Sequence, residues 1–200
     1  AADDPAPTTA RVVAPSVPPP DVTAAEPAGP ASASAAGATA GRAPPASPRW
    51  LALARASDHA GAFRLLGADG IRRATLEARS VEELLLLADV ARAGEHPELA
   101  VDPLRAIVEQ HSGHRRAAWA ALTLGRLELD GLNRPAEAVT SLERALDLGL
   151  TPQLRETALA RLAAAHRRAG QPERALLVRA QYQSEFPNGR YISPATEDPR

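Results

Sequence analysis

His111 and His114 stand three residues apart in Gln110-His111-Ser112-Gly113-His114, with Glu109 just ahead of them. Two imidazole nitrogens at that spacing can share a metal ion, and a small hydrolase or metalloenzyme would be built on such a group. The same residues also read as a solvated turn between two helices. That reading takes precedence, because no His-Glu-x-x-His motif, Gly-rich phosphate loop or nucleophile elbow accompanies them. The chain has no Cys, which removes disulfides, thiolate metal sites and a thiol nucleophile. His166 reads as a packing residue. No catalytic, cofactor-binding or metal-binding residue is assigned, and the expectation is a non-enzymatic protein.

Arginine supplies every one of the 23 basic residues, against 24 acids, for a net charge of −1. That balance argues against non-specific nucleic-acid binding, which needs a basic excess. The pairs Arg72-Arg73, Arg115-Arg116 and Arg167-Arg168 are interspersed with as many acids and read as solvated surface. Trp119 is different in kind. Trp and Arg are frequent hot spots of protein interfaces, and Trp119 lies seven residues before Arg126 in a Leu-rich segment. The chemistry available is therefore recognition of a protein or peptide rather than catalysis.

The elements that must hold these residues are helical. Residues 49–200 contain all 25 leucines and no alternating apolar/polar runs, so strands are not expected. Three strings recur: Pro97-Glu98-Leu99-Ala100, Pro135-Ala136-Glu137-Ala138 and Pro172-Glu173-Arg174-Ala175, with prolines 38 and 37 residues apart. A Gly precedes each, namely Gly94, Gly131 and Gly170. Gly ends a helix in the left-handed conformation, and Pro opens the next one without losing a bonded N–H. Helix, tight turn, helix is the expected unit, repeated three times. Ser80 reads as an N-cap before Glu82 and Glu83. Pro103, inside a second helix, reads as a tolerated kink near the helix start.

The columns agree. Ala88, Gly125 and Ala163 align as the small residue of the first helix, each after a Leu; Ala100, Ala138 and Ala175 align in the second, followed by Leu104, Leu142 and Arg179. The third unit closes on Phe186-Pro187-Asn188-Gly189. This pattern resembles the tetratricopeptide repeat across about residues 81–188. The units run longer than that repeat's roughly 34 residues, and Ala91, Glu128 and His166 stand where its first helix carries an aromatic. Pro152 is a candidate closing Pro for the middle unit. The resemblance implies an all-α fold: a right-handed solenoid of antiparallel helix pairs, about three full units plus a degenerate amino-terminal unit at Leu51–Leu66. It also implies a concave surface formed by the first helices. In this register that surface is Glu82, Leu85, Asp89 and Arg92, then Trp119, Leu122, Arg126 and Leu129, then Thr157, Ala160, Ala164 and Arg167. The partner-binding groove is expected at Leu85, Asp89, Arg92, Trp119, Leu122, Arg126, Leu129 and Arg167. Trp119 reads equally as a seam residue between units.

A longer string, Leu85-Leu86-Leu87-Ala88-Asp89-Val90-Ala91-Arg92 leading into His96-Pro97 and Ala100-Val101-Asp102-Pro103-Leu104-Arg105, resembles the carboxy-terminal repeat region of some bacterial FecR-type anti-sigma regulators. The resemblance implies a periplasmic or otherwise envelope-facing module that works by protein contact. A more distant resemblance is to periplasmic repeat proteins that act as scaffolds of envelope assembly.

Residues 1–48 are another material. They hold 11 of the 19 prolines and no Leu, Ile, Phe, Tyr or Trp. Such a segment cannot bury enough apolar surface to offset the entropy of ordering it, so a disordered Pro/Ala-rich linker is expected there. Its acidic start without an apolar stretch is unlike a signal peptide, and the absence of a leading Met reads as excision from a longer chain. The repeat domain is expected over 49–190 and a flexible tail over 191–200. No run approaches the roughly 20 apolar residues of a membrane span.

Overall fold

The computed structural model describes residues 48–191. The expected disordered linker, up to residue 47, and the expected tail from 192 onward lie outside the described residues. Among the described residues the chain is all-helical, without a strand. The helices are α1 (Arg49–Arg55), α2 (His59–Glu77), α3 (Val81–Ala93), α4 (Val101–Gln110), α5 (Ala117–Arg126), α6 (Pro135–Asp147), α7 (Pro152–Arg168) and α8 (Pro172–Glu185).

Their starts follow from local chemistry. Ser80 Oγ accepts the Glu83 N–H at 3.2 Å, and the Glu83 carboxylate accepts the Arg79 N–H at 2.8 Å. Two orphan donors at the start of α3 are thereby satisfied. Asp58 caps α2 in the same way, through the Gly61 N–H at 2.8 Å. Pro135, Pro152 and Pro172 each occupy the first turn of a helix, where a missing N–H costs nothing. Pro152 thus opens α7 rather than closing the unit before it. Pro97–Ala100 forms one 3₁₀ turn that runs into α4, placing buried Pro103 in the first turn of α4. That is why an apparently internal proline is tolerated.

The turns depart from expectation in an informative way. Of Gly94, Gly131 and Gly170, only Gly170 adopts the left-handed conformation, at φ 73°; in the first two turns that role falls to Glu95 (φ 62°) and Asn133 (φ 51°). Gly94 has φ −80° and is required for another reason: the Phe63 ring occupies the space a Cβ would fill. The 38-residue first spacing also finds its cause. Leu127–Gly131 winds as a π-type turn at the end of α5, with the Arg134 N–H reaching back to Glu128 O at 2.7 Å. The corresponding bonds in the other units, His96 to Ala91 and Gln171 to His166, are one residue shorter. The wider turn absorbs the extra residue, so the columns stay in register on both sides.

Each helix packs chiefly on its neighbours in the chain. Gly125 of α5 abuts Leu142 of α6; α7 and α8 run in opposite directions, since Glu156 and Arg155 near the start of α7 bond Tyr182 and Glu185 near the end of α8. A single apolar core runs through these layers, with Ile71, Leu87, Leu104, Ile107, Leu142 and Leu159 fully buried. The expected degenerate unit corresponds to α1 and the first half of α2, which bends at Gly67 (φ 62°).

The closing turn after α8 folds back onto α7. Buried Glu156 accepts the Tyr182 hydroxyl at 3.0 Å and the Arg190 backbone N–H at 2.6 Å, while the Tyr182 oxygen accepts the Tyr191 N–H at 2.9 Å. The Arg190 N–H, ahead of the other contacts, holds the Glu156 carboxyl below its ordinary value. Gly189 has no room for a side chain, because Tyr182 and Glu156 fill the position.

Candidate functional site

Of the eight residues expected to line a groove, the structure sends three into the core. Leu85, Leu122 and Leu129 retain 8, 3 and 2% of their surface, too little to offer a partner. For Leu122 the reason is that α5 is flanked on both sides. It packs on α4 and on α6, and seven of its ten residues are buried. What remains on α5 is one stripe: Trp119, 40% exposed, half-buried Thr123 and exposed Arg126. Spacings of four and three place these three on one face. On α3, Asp89 and Arg92 also stay accessible, but they pair with each other at 3.2 Å. Arg167 lies on α7, exposed, beside a groove between α7 and α8.

The α5 stripe has basic neighbours that sequence reading did not single out. Arg161 of α7 bonds Asp130, and Arg168 stands 3.7 Å from the same carboxylate while donating to Leu129 O at 3.0 Å. Arg161 is held below its ordinary value, first by burial and then by the positive charges of Arg126 and Arg168. Asp130 thus gathers two guanidinium groups of α7, and the charge of Arg126 acts on one of them. An exposed indole receives an apolar side chain of a protein ligand, and guanidinium groups receive its carboxylates. Arg168 belonged to a pair read as scattered surface. What makes it part of a cluster is Asp130, 38 residues away in the chain.

Two buried polar groups hold the frame rather than the surface. Glu128 retains 2% of its surface; it accepts the Ser141 hydroxyl at 2.6 Å and lies 3.7 Å from Arg105. Burial raises its carboxyl, against the opposing pull of Ser141 and Arg105. His166, also 2% exposed, bonds Gln171 at 2.8 Å through Nδ1 and faces Glu143 at 3.8 Å through Nε2. Both occupy the column that starts at Ala91, and all three residues are buried. The repeated column was the one available signal for Glu128.

His111 and His114 lie in the turn between α4 and α5. His114 Nδ1 accepts the Arg116 N–H at 3.2 Å, and its Nε2 faces Glu82 at 4.0 Å. Among the described residues no group of three or more His, Asp or Glu is arranged to hold a metal ion. No helix among them is long and apolar enough to cross a membrane. Compared with known proteins, the chain matches no family model and no curated protein.

Proposed function

We propose that residues 49–190 form a right-handed, tetratricopeptide-like solenoid that binds a protein or peptide and performs no catalysis. The observation that carries this reading is the α5 stripe. Trp119 and Arg126 are exposed on a helix that otherwise buries itself, and the charge of Arg126 reaches Arg161 of the Arg161–Asp130–Arg168 cluster. An exposed indole in a well-packed frame has no folding role that requires its exposure, whereas interfaces favour Trp and Arg. The all-helical frame with neighbour-on-neighbour packing supports the solenoid. The net charge of −1 supports a protein partner over nucleic acid. The sequence strings from Leu85 to Arg105 support a place in a FecR-like, sigma-regulating protein of the bacterial envelope, working in the periplasm.

The test is selection of peptides from a displayed library on the immobilised full chain, followed by affinity measurement on variants. Trp119→Ala should weaken a selected peptide by about 2 kcal/mol, roughly 30-fold, and Arg126→Glu should weaken acidic peptides, both with little change in melting temperature. If Arg126→Glu leaves binding unchanged while Trp119→Ala melts the domain, Trp119 is a packing residue and the stripe is not the site.

A further inference from the structure

A groove of about 380 Å³ lies between α7 and α8. Four alanines line it, Ala160, Ala163, Ala164 and Ala175, together with Leu176, Tyr182 and Tyr191. Arg167 and Arg179 also line it. Leu176 and the adjacent Leu177 are 66 and 72% exposed, and Tyr191 is 49% exposed. Neither Arg167 nor Arg179 has a carboxylate within 4 Å among the described residues, whereas Arg155, Arg161, Arg168 and Arg190 all do.

The repeat columns show what this face is. Ala160, Arg167, Leu176 and Arg179 align with Leu122, Leu129, Val139 and Leu142 of the preceding unit. There all four are buried, on helices that precede α7 in the stack. At the last unit the corresponding surface has no helix on it among the described residues. Two of the four positions have changed from Leu to Arg, while Leu176 stays apolar. A face altered only to be soluble would carry mixed charge and shed its large apolar groups. This one keeps exposed leucines and tyrosines and adds charge of a single sign.

We infer that the α7–α8 groove is a second docking surface, and that its occupant is an amphipathic helix of a partner protein presenting carboxylates beside its apolar face. The alanine lining admits a helix at close range, because nothing beyond Cβ stands in the way. Leu176 and Tyr191 meet its apolar side, and Arg167 and Arg179 meet its acids. The groove stands on its own geometry and uses the repeat reading only for the column comparison. Its lining residues lie on α7, on α8 and in the closing turn, and none lies on α5.

The probe is a fluorescently labelled amphipathic 16-residue peptide with a leucine face bordered by Glu, measured by anisotropy against the full chain, with a counterpart carrying Gln for Glu. The Glu peptide should bind, and the Gln peptide at least tenfold more weakly. Arg167→Glu and Arg179→Glu should each weaken the Glu peptide tenfold or more at unchanged melting temperature. Arg126→Glu and Trp119→Ala should leave it unaffected, which separates this surface from the α5 stripe. Equal binding of the two peptides, no binding, or indifference to both Arg reversals overturns the proposal. Two other occupants have their own signatures, and either one overturns it for the full chain. Residues 192–200 filling the groove would show as binding that appears only after their removal. A second copy would show as a concentration-dependent dimer abolished by Leu176→Glu.

Discussion

Gly125→Ala tests how closely α5 and α6 approach. A Cβ built on Gly125 would lie 2.6 Å from Leu142 Cγ, 2.9 Å from its Cδ2 and 3.3 Å from its backbone nitrogen. Leu142 is wholly buried, so its side chain has no empty space to move into, and the backbone contact means that α6 itself must shift. Overpacking of this kind costs about 1–3 kcal/mol. Against it stands the gain of about 1 kcal/mol from Gly to Ala inside a helix. The net expectation is a loss of about 1 kcal/mol, or a fall of about 3 °C in melting temperature for a domain of this size. The sign should reverse when the obstacle is removed. Leu142→Ala alone should cost about 3 kcal/mol, and adding Gly125→Ala to it should recover about 0.5–1 kcal/mol, because helix propensity then acts with little opposing clash. Urea unfolding of the full chain followed at 222 nm gives all four free energies of the cycle. If Gly125→Ala raises stability in the presence of Leu142, the close approach is not what selects glycine here.

Two further outcomes concern charge. Arg155 bonds Glu185 at 2.7 and 2.9 Å, and these bonds, then that of Gln181, bring the Glu185 carboxyl down to about 2. Its stabilisation is therefore complete above the unfolded value near about 4.3 and is lost as pH falls through about 2; Glu185→Gln should flatten that acid limb and cost about 0.5–1 kcal/mol at pH 7, since the pair is partly solvated, whereas parallel wild-type and variant profiles would contradict the pairing. Burial shifts Glu128 in the opposite direction, so its contribution declines as pH rises from about 4.3 through its raised folded value. Glu128→Gln keeps an acceptor for Ser141 and should add about 0.5–1 kcal/mol at pH 7 while removing that decline; a loss of stability at pH 7 would show that the Arg105 pairing outweighs desolvation.

Local chemistry by itself determined the class of fold and its punctuation. Ser80, Pro135 and Pro172 act within one helical turn of themselves, so their types announce the helix starts, and the recurring Pro-x-x-Ala strings announce the pairs. The repeat columns likewise tell that α5 is helical. They do not tell which of its sides is covered, because that depends on α4 and α6 as well as on α5. Leu122 and Leu129 were therefore legible as apolar but not as buried, and Trp119 and Arg126 emerged as the exposed stripe only once the neighbours were in place. The same holds for the left-handed residues at the turns. Glycine adopts that conformation most easily, yet in the first turn Gly94 packs against Phe63 and Glu95 takes the left-handed conformation. The polar groups that matter most were decided by tertiary structure alone. Asp130 gathers Arg161 and Arg168 from 31 and 38 residues away, and Glu156 meets Tyr182 and Arg190 across 26 and 34. No spacing rule reaches that far, since such partners are set by how three successive helices stack rather than by the turn of any one.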